Sequence, residues 1–386
     1  MASGESMNRR RFLRNTLLGS AGLSLAGSSI YEAAAQIVNT PRVEYVNGVG
    51  LDDPMLVKLS INENPLGASR SAVESVAKYL FKINRYPFHT ELEEALAKFH
   101  GVTPDMIFVG TGSTEILNTL ALSTYFDRQG NTVTGFPSYP GLPSLTETLN
   151  RQVKRVPLTP SWGLDLDAML KAIDKDTRLV SVCNPNNPTG QLLAPAALEK
   201  FLRAVPPEVV VCVDEAYIHF ADDPAYPSMI PITKKLGNVV VSRTFSKAYG
   251  IAGLRVGFGV AQPALLKRMM AYGMPDINKN TLSIAAALGA LADQDHVKRT
   301  VRLAQQGKEF LYAELQAMGY EVIKTQTLFV PVKVGANAQT IIDRLAERKV
   351  RINQAFDMPG YIRISVGLPR ENEAFITAFK SVRSAL

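Results

Sequence analysis

Between about residue 72 and residue 270, short apolar runs alternate with stretches of helical spacing, and no other feature of this chain narrows its fold so far. Residues 106–109, 179–182, 209–213, 239–242 and 256–260 are almost continuously apolar and rich in valine. Strands apolar on both faces must be covered on both faces, as in a parallel sheet held between helices. Helical spacing over 166–173 and 195–205 fills the intervals. This alternation predicts an α/β sheet of mainly parallel strands. After Pro275 the order changes. Helical stretches at 282–291 and 297–318 lead to strands near 321–323, 329–332 and 361–365, and a helix at 372–385 closes the chain. The pattern predicts a large domain over 71–270 and a smaller α+β domain over 271–386, joined by residues 36–70. With 386 residues, 46% of them apolar, there is material for two cores.

The first 35 residues read as an export signal rather than as part of the fold. Asn8 to Arg14 (NRRRFLR) carries the charge, residues 16–30 are moderately apolar, and Ala33 and Ala35 suit cleavage before Gln36. The apolar part is short and diluted by Gly and Ser, too weak for a stable span. Paired arginines followed by Phe12-Leu13 resemble a twin-arginine signal, which implies export to the periplasm of a protein already folded around a cofactor; a generic secretory signal and a retained membrane anchor are the plain alternatives. The net charge of +7 falls to +5 without that segment, which holds four arginines and two glutamates. The remaining cations are interspersed with acids, so nothing favours nucleic acid. Cys183 and Cys212 lie in apolar strand-like runs, where a buried free thiol is expected. No metal is expected.

Four segments carry chemistry, and each follows a predicted strand. In residues 242–258 (SRTFSKAYGIAGLRVGF), Lys247 sits among small and hydroxylated residues. A lysine held partly out of water can lose its proton and attack an aldehyde. Thr244, Ser246 and Arg255 form a set suited to a phosphate monoester. A solvated lysine in a Gly-rich loop is the plain alternative. Asp214, in Val-Asp-Glu-Ala-Tyr, ends an apolar strand where open α/β sheets bind ligands. It could pair with a protonated ring nitrogen or simply cap a helix. Residues 183–190 (CNPNNPTG) fix a turn that aims amide side chains. Residues 110–115 (GTGSTE) open a helix whose first amides and hydroxyls can hold a phosphate. They match neither a P-loop nor a dinucleotide fingerprint.

Taken in order, INENPLG (61–67), NRYP (84–87), GTGSTE, FPSYP (136–140), NPNNPTG (184–190), DEAY (214–217), SRTFSKAYGIAGLRVGFG (242–259) and YIRISVG (361–367) resemble the fold-type-I aminotransferases that depend on pyridoxal phosphate, most closely the histidinol-phosphate aminotransferase branch of class I/II. The resemblance implies a mainly parallel seven-stranded sheet between helices, pyridoxal 5'-phosphate as cofactor, and amino-group transfer between an L-amino acid and a 2-oxo acid. It makes Lys247 the Schiff-base lysine and proton carrier, Asp214 the partner of the ring nitrogen, and Asn187 and Tyr217 the partners of the phenolic oxygen. Tyr139 stacks on the ring. Ser113, Thr114, Thr244, Ser246 and Arg255 hold the phosphate. Tyr86 reaches the neighbouring subunit's cofactor, which implies a homodimer with shared sites. Arg363 and Asn64 hold the substrate. The chain departs from that pattern at Leu142, at Leu328 and in the run 349–353, where Ile352 is expected to replace an arginine. A decarboxylase, cyclase or oxidase on the same scaffold, or a binding protein without catalysis, remains open at this stage.

Overall fold

The computed structural model describes residues 56–87, 90–275 and 278–384. The expected export signal (1–35) and most of the segment 36–70 lie outside the described residues. In chain order the strands are β1 (Val57–Lys58), β2 (Ile107–Thr111), β3 (Asn131–Phe136), β4 (Gln152–Pro157), β5 (Thr177–Cys183), β6 (Val210–Asp214), β7 (Val239–Thr244), β8 (Val256–Val260), β9 (Glu321–Val322), β10 (Phe329–Lys333), β11 (Val350–Arg351), β12 (Asn353–Gln354) and β13 (Tyr361–Ser365).

Seven of them form one sheet in the order β2-β8-β7-β6-β5-β3-β4. Only β8 runs against its neighbours, β2 and β7; the other pairings are parallel. The carboxyl ends of β2, β5, β6 and β7 therefore share one edge. Val180, Val182, Val211, Val213, Val239 and Val241 are essentially inaccessible and belong to the larger apolar core. That is the energetic reason the strands read as unbroken valine runs: helices cover both faces.

Two strands of this sheet have no apolar run in the sequence. In β3, Asn131, Thr132 and Thr134 are buried because their polar atoms are paired. Tyr125, Thr132 and Thr146 link their hydroxyls at 2.8 and 2.9 Å. In β4, at the sheet edge, only Val156 is buried.

A second sheet, β12-β13-β10-β9, is antiparallel and packs on a separate core containing Leu311, Val330, Ile362, Ile364, Phe375 and Phe379. The N-terminal segment joins this part: β1 pairs in parallel with β11, and Leu59 lies in the same core. One expected assignment differs. The helix Thr281–Ala292, grouped by sequence with the small domain, packs on the helix Arg70–Tyr79, and its Ile284, Ala286, Ala287 and Ala290 join the larger core. Its composition explains this. Alanine on nearly every face lets two helices approach closely, with Gly289 against the backbone of Ser71.

Candidate active site

The strand-end loops and the N-terminal segment enclose a cavity of about 480 Å³ at the carboxyl edge of the large sheet. From β7 comes Lys247. Its Nζ donates to the carbonyls of Ile61 (3.1 Å) and Asn62 (3.0 Å), and it lies 5.8 Å from the centre of the Tyr217 ring. Burial, reinforced by the guanidinium groups of Arg363 and Arg255, pulls its pKa from 10.5 to about 8. An amine so placed is partly neutral at neutral pH.

From β6 comes Asp214, 6% exposed, whose Oδ1 accepts from the Ala216 amide at 3.1 Å. Burial, with Glu215 as a neighbouring negative charge, lifts its pKa to about 6. No cation forms an ion pair with it among the described residues. A buried carboxylate in that state has room for a cationic partner from a ligand. Tyr217 follows on a turn. Its hydroxyl accepts from Asn62 Nδ2 at 2.9 Å, and burial pushes its pKa up.

The phosphate-type donors gather along one wall. Ser113 and Thr114 line the cavity and open the helix Gly112–Tyr125, whose N-cap makes no side-chain hydrogen bond, so the positive end of the helix dipole lies at this wall. The approach depends on two glycines. A Cβ on Gly257 would stand 2.2 Å from the Ser113 nitrogen, and one on Gly112 (φ +69°) would stand 2.5 Å from Arg255 Nη2. Thr244 donates to Ser246 Oγ at 2.9 Å and accepts from the Ser246 amide at 3.1 Å, a local turn that presents both hydroxyls. Arg255 takes a left-handed conformation (φ 55°) at the end of the short turn 252–254.

From β5 comes the turn holding Asn187. Asn186 ties that turn to the neighbouring loop by donating to the Pro137 carbonyl (3.1 Å) and accepting from Ser138 (2.7 Å). Tyr139, on that loop, lines the cavity. Arg363 enters from β13 of the second sheet. Its Nη1 donates to Asn187 Oδ1 (2.7 Å) and its Nη2 to the Ser60 carbonyl (3.0 Å), while Nε is buried without a partner.

The structure thus brings Ser113, Thr114, Tyr139, Asn187, Asp214, Tyr217, Thr244, Ser246, Lys247, Arg255 and Arg363 to one cavity. Asn64 stands apart. Its Nδ2 donates to the Ala248 carbonyl (3.1 Å) and to Thr300 (3.0 Å), and its Oδ1 accepts from Leu66, so its amide fastens the N-terminal segment instead of facing a substrate. Tyr86 is 70% exposed and does not line the cavity of its own chain. Asn62, Glu63 and Phe356 line the cavity and were not singled out in the sequence; the motif 61–67 held the signal, but two asparagines two residues apart could not be told apart without the backbone. Cys183 and Cys212 are buried and free. Among the described residues no group of three His, Cys, Asp or Glu could hold a metal, and no helix is long and apolar enough to cross a membrane.

The donor set fits pyridoxal phosphate. A lysine amine, a buried unpaired acid and a helix start with a facing guanidinium match an aldehyde, a ring nitrogen and a phosphate. Residues 54–379 match the family model described as "Aminotransferase class I and II". The chain belongs to this family. It is an aminotransferase that uses pyridoxal phosphate. It is 36% identical to histidinol-phosphate aminotransferase 2 of Pseudomonas fluorescens, over 93% of this chain and 98% of that protein. It is 37% identical to the histidinol-phosphate aminotransferase of Akkermansia muciniphila, over 93% and 99%. The histidinol-phosphate aminotransferase of Sinorhizobium meliloti, solved in complex with pyridoxal-5'-phosphate, superposes with a TM-score of 0.80 at 26% identity, covering 85% of this chain and 91% of that one.

Proposed function

We propose that this aminotransferase moves the amino group of an L-amino acid to a 2-oxo acid with Lys247 as the residue that bonds the cofactor and carries the substrate proton. The supporting observation is a lysine amine half-buried in the cavity, its pKa lowered to about 8, with the buried acid Asp214 on the adjoining strand. Bound pyridoxal phosphate supplies an aldehyde for that amine and a cationic ring that draws electrons from the substrate's Cα. Asp214 holds the ring nitrogen protonated, since a cation beside it relieves its burial. Asn187 and Tyr217 would hold the ring's phenolic oxygen, and Tyr139 would pack on the ring; all three line the cavity. Ser113, Thr114, Thr244, Ser246 and Arg255 take the phosphate. Arg363, with its unpaired Nε, grips the substrate's anionic end and is itself steered by Asn187 and Ser60. The Lys247 amine, its pKa lowered to about 8, would be the group that takes and returns the substrate proton. The names of the relatives bring histidinol phosphate forward as one candidate donor, beside ordinary α-amino acids. The test is a donor screen on the purified holoenzyme, followed by the cofactor's visible absorbance. A Lys247→Ala protein with unchanged spectrum and rate would end this reading.

The working unit in this proposal is a homodimer in which Tyr86 reaches the neighbour's cofactor phosphate. Supporting it, Leu80, Phe81, Ile83 and Tyr86, close together in the chain, leave 47–87% of their surface exposed, as an apolar segment awaiting a partner would. Sedimentation of the holoenzyme as a monomer would refute it. Export by the twin-arginine route rests on residues 8–14 and 33–35 alone; replacing Arg9 and Arg10 by lysine should hold the protein in the cytoplasmic fraction.

A further inference from the structure

Two charged residues in the motifs of β6 and β7 take no part in the cofactor cavity. Glu215 follows Asp214, and Arg243 precedes Thr244. Neighbours along a strand point to opposite faces. Thr244 lines the cofactor cavity, so Arg243 lies on the face that carries Val239 and Val241 into the larger core. There it lines a second cavity of about 540 Å³, between residues 218–228 and the helix Gln294–Ala317. The two cavities share no lining residue.

Arg243 is 8% exposed, yet its guanidinium makes no hydrogen bond among the described residues. Its one partner is Glu215, whose Oε2 stands 3.3 Å from Nε. Glu215 is better served, for it also accepts from Ser228 Oγ (2.7 Å) and the Met229 amide (2.6 Å). A buried ion pair is well satisfied only when its remaining protons find acceptors too. His219 lines the same cavity, edge-on to Tyr249 at 5.2 Å, and its ring nitrogens make no hydrogen bond among the described residues. Burial, with Arg243 beside it, holds its pKa well below the usual histidine value, so the neutral ring keeps one N–H to give. Ile218, Ala221, Pro224, Val297 and Val301 make the rest of the lining largely apolar. The charges at the mouth cancel. Asp222 pairs with Lys308 at 2.9 Å and Lys298 with Asp295 at 3.1 Å, while Asp223 and Arg302, of opposite sign, have no ion pair among the described residues. Asp222, Asp223, Lys298 and Arg302 are all exposed, where water weakens them. Selection therefore falls to the buried arginine.

We infer that this cavity is a second ligand site, which takes a small organic monocarboxylate: its oxygens accept from Arg243 and His219, and an apolar body the size of a phenyl ring lies against Pro224, Val297 and Val301. A carboxylate offers two oxygens to a guanidinium. Glu215 already answers the arginine's charge, so the buried end has donors to offer more than surplus charge. That suits a monoanion and disfavours a phosphate, which carries nearly two charges at neutral pH. A cleft of this volume, with apolar walls and a few placed donors, has the make-up of a small-molecule site. The inference does not depend on which amino donor the enzyme uses.

The test titrates the holoenzyme with benzoate, benzyl alcohol and inorganic phosphate by calorimetry, while the cofactor's visible absorbance is followed. Benzoate should bind with a Kd on the order of 1 mM at a site that leaves the absorbance unmoved. Benzyl alcohol and phosphate should bind that site about tenfold more weakly or worse. Benzoate in the cofactor cavity is told apart because it shifts the absorbance and weakens in Arg363→Lys. Arg243→Lys keeps a charge beside Glu215 and loses the fork, so the silent site should weaken about tenfold. Gln305→Trp, on the helix Gln294–Ala317, fills the cavity and leaves Arg243 in place. It should abolish the silent site with amino transfer unchanged, and it decides the matter if the arginine variant folds poorly. Three results would each overturn the inference: no benzoate site beyond the one that shifts the absorbance, a silent site untouched by Gln305→Trp, or benzyl alcohol or phosphate bound as tightly as benzoate.

Discussion

The two walls of the cavity are built in opposite ways. The cofactor wall comes from loops that leave the carboxyl ends of β2, β5, β6 and β7 in a single sheet, so each functional residue lies within a few positions of a buried strand. The substrate wall is assembled from distant pieces of chain. Arg363 holds Ser60, Asn62 exchanges hydrogen bonds with Ser365 at 2.8 and 2.9 Å, and Asn353 reaches Ser60. These contacts span about 300 residues of sequence and join the N-terminal segment to the second sheet. A wall fixed by its own sheet stays put when one contact is lost. A wall made by closure of two parts changes shape with each of its contacts, and that makes it the place where donor choice can be altered without losing the cofactor.

The largest effect should come from the cofactor wall. Lys247→Ala removes both the attachment point and the proton carrier, so transfer should fall by about 10⁴-fold or more, with loss of the visible absorbance. Arg363→Lys, on the opposite wall, should raise KM by about 100-fold and leave that absorbance intact, because a lysine cannot reproduce the fork held by Asn187 and Ser60. A spectrum lost in Arg363→Lys would mean that the walls are not separable, and the comparison would fail. A smaller effect tests the electrostatics of the cofactor wall by itself. The amine must be uncharged to attack an aldehyde. With the Lys247 pKa near 8, cofactor uptake by the apoprotein should slow about tenfold per pH unit below 8 and level off above it. Stopped-flow uptake that keeps rising to pH 10 would show an amine with an ordinary pKa.

The same contrast explains what could be read from the sequence. Strands β5 to β8 are legible because burial on both faces demands valine after valine. β3 is not: it is buried through paired hydroxyls, and Thr132 means nothing until Tyr125 and Thr146 are beside it. β4 is not legible either, since an edge strand with one buried valine has little reason to look like a strand. Lys247, Asp214 and Asn187 follow legible strands, and their places at the sheet edge follow from topology. Asn62, Ser60 and Asn353 had no such anchor. Their contacts exist only after the two parts close, and only then is Ile352, expected to take an arginine's place, seen to be 3% exposed within the smaller core.

The finest test of the comparison sets two asparagines of one motif against each other. Asn64 makes three buried or half-buried hydrogen bonds, to Ala248, Thr300 and Leu66, and none of its atoms lines the cavity. Asn64→Ala should therefore cost about 2 kcal/mol of stability, read by denaturant unfolding, with little change in KM. Asn62 does line the cavity. It sits at φ 57°, a left-handed conformation that asparagine tolerates better than most residues, and its Nδ2 donates to the Tyr217 hydroxyl while its carbonyl accepts from Lys247. Asn62→Gly keeps that backbone available and removes both the donor to Tyr217 and the acceptor of the Ser365 hydroxyl. It should lower kcat by about tenfold, a rate effect absent in Asn64→Ala, because Tyr217 loses the donor that orients its hydroxyl; its loss of stability should be of the same order as that of Asn64→Ala. If Asn64→Ala instead raised KM and spared stability, Asn64 would be a substrate ligand after all, and the substrate wall would extend one turn further along the N-terminal segment than its hydrogen bonds indicate.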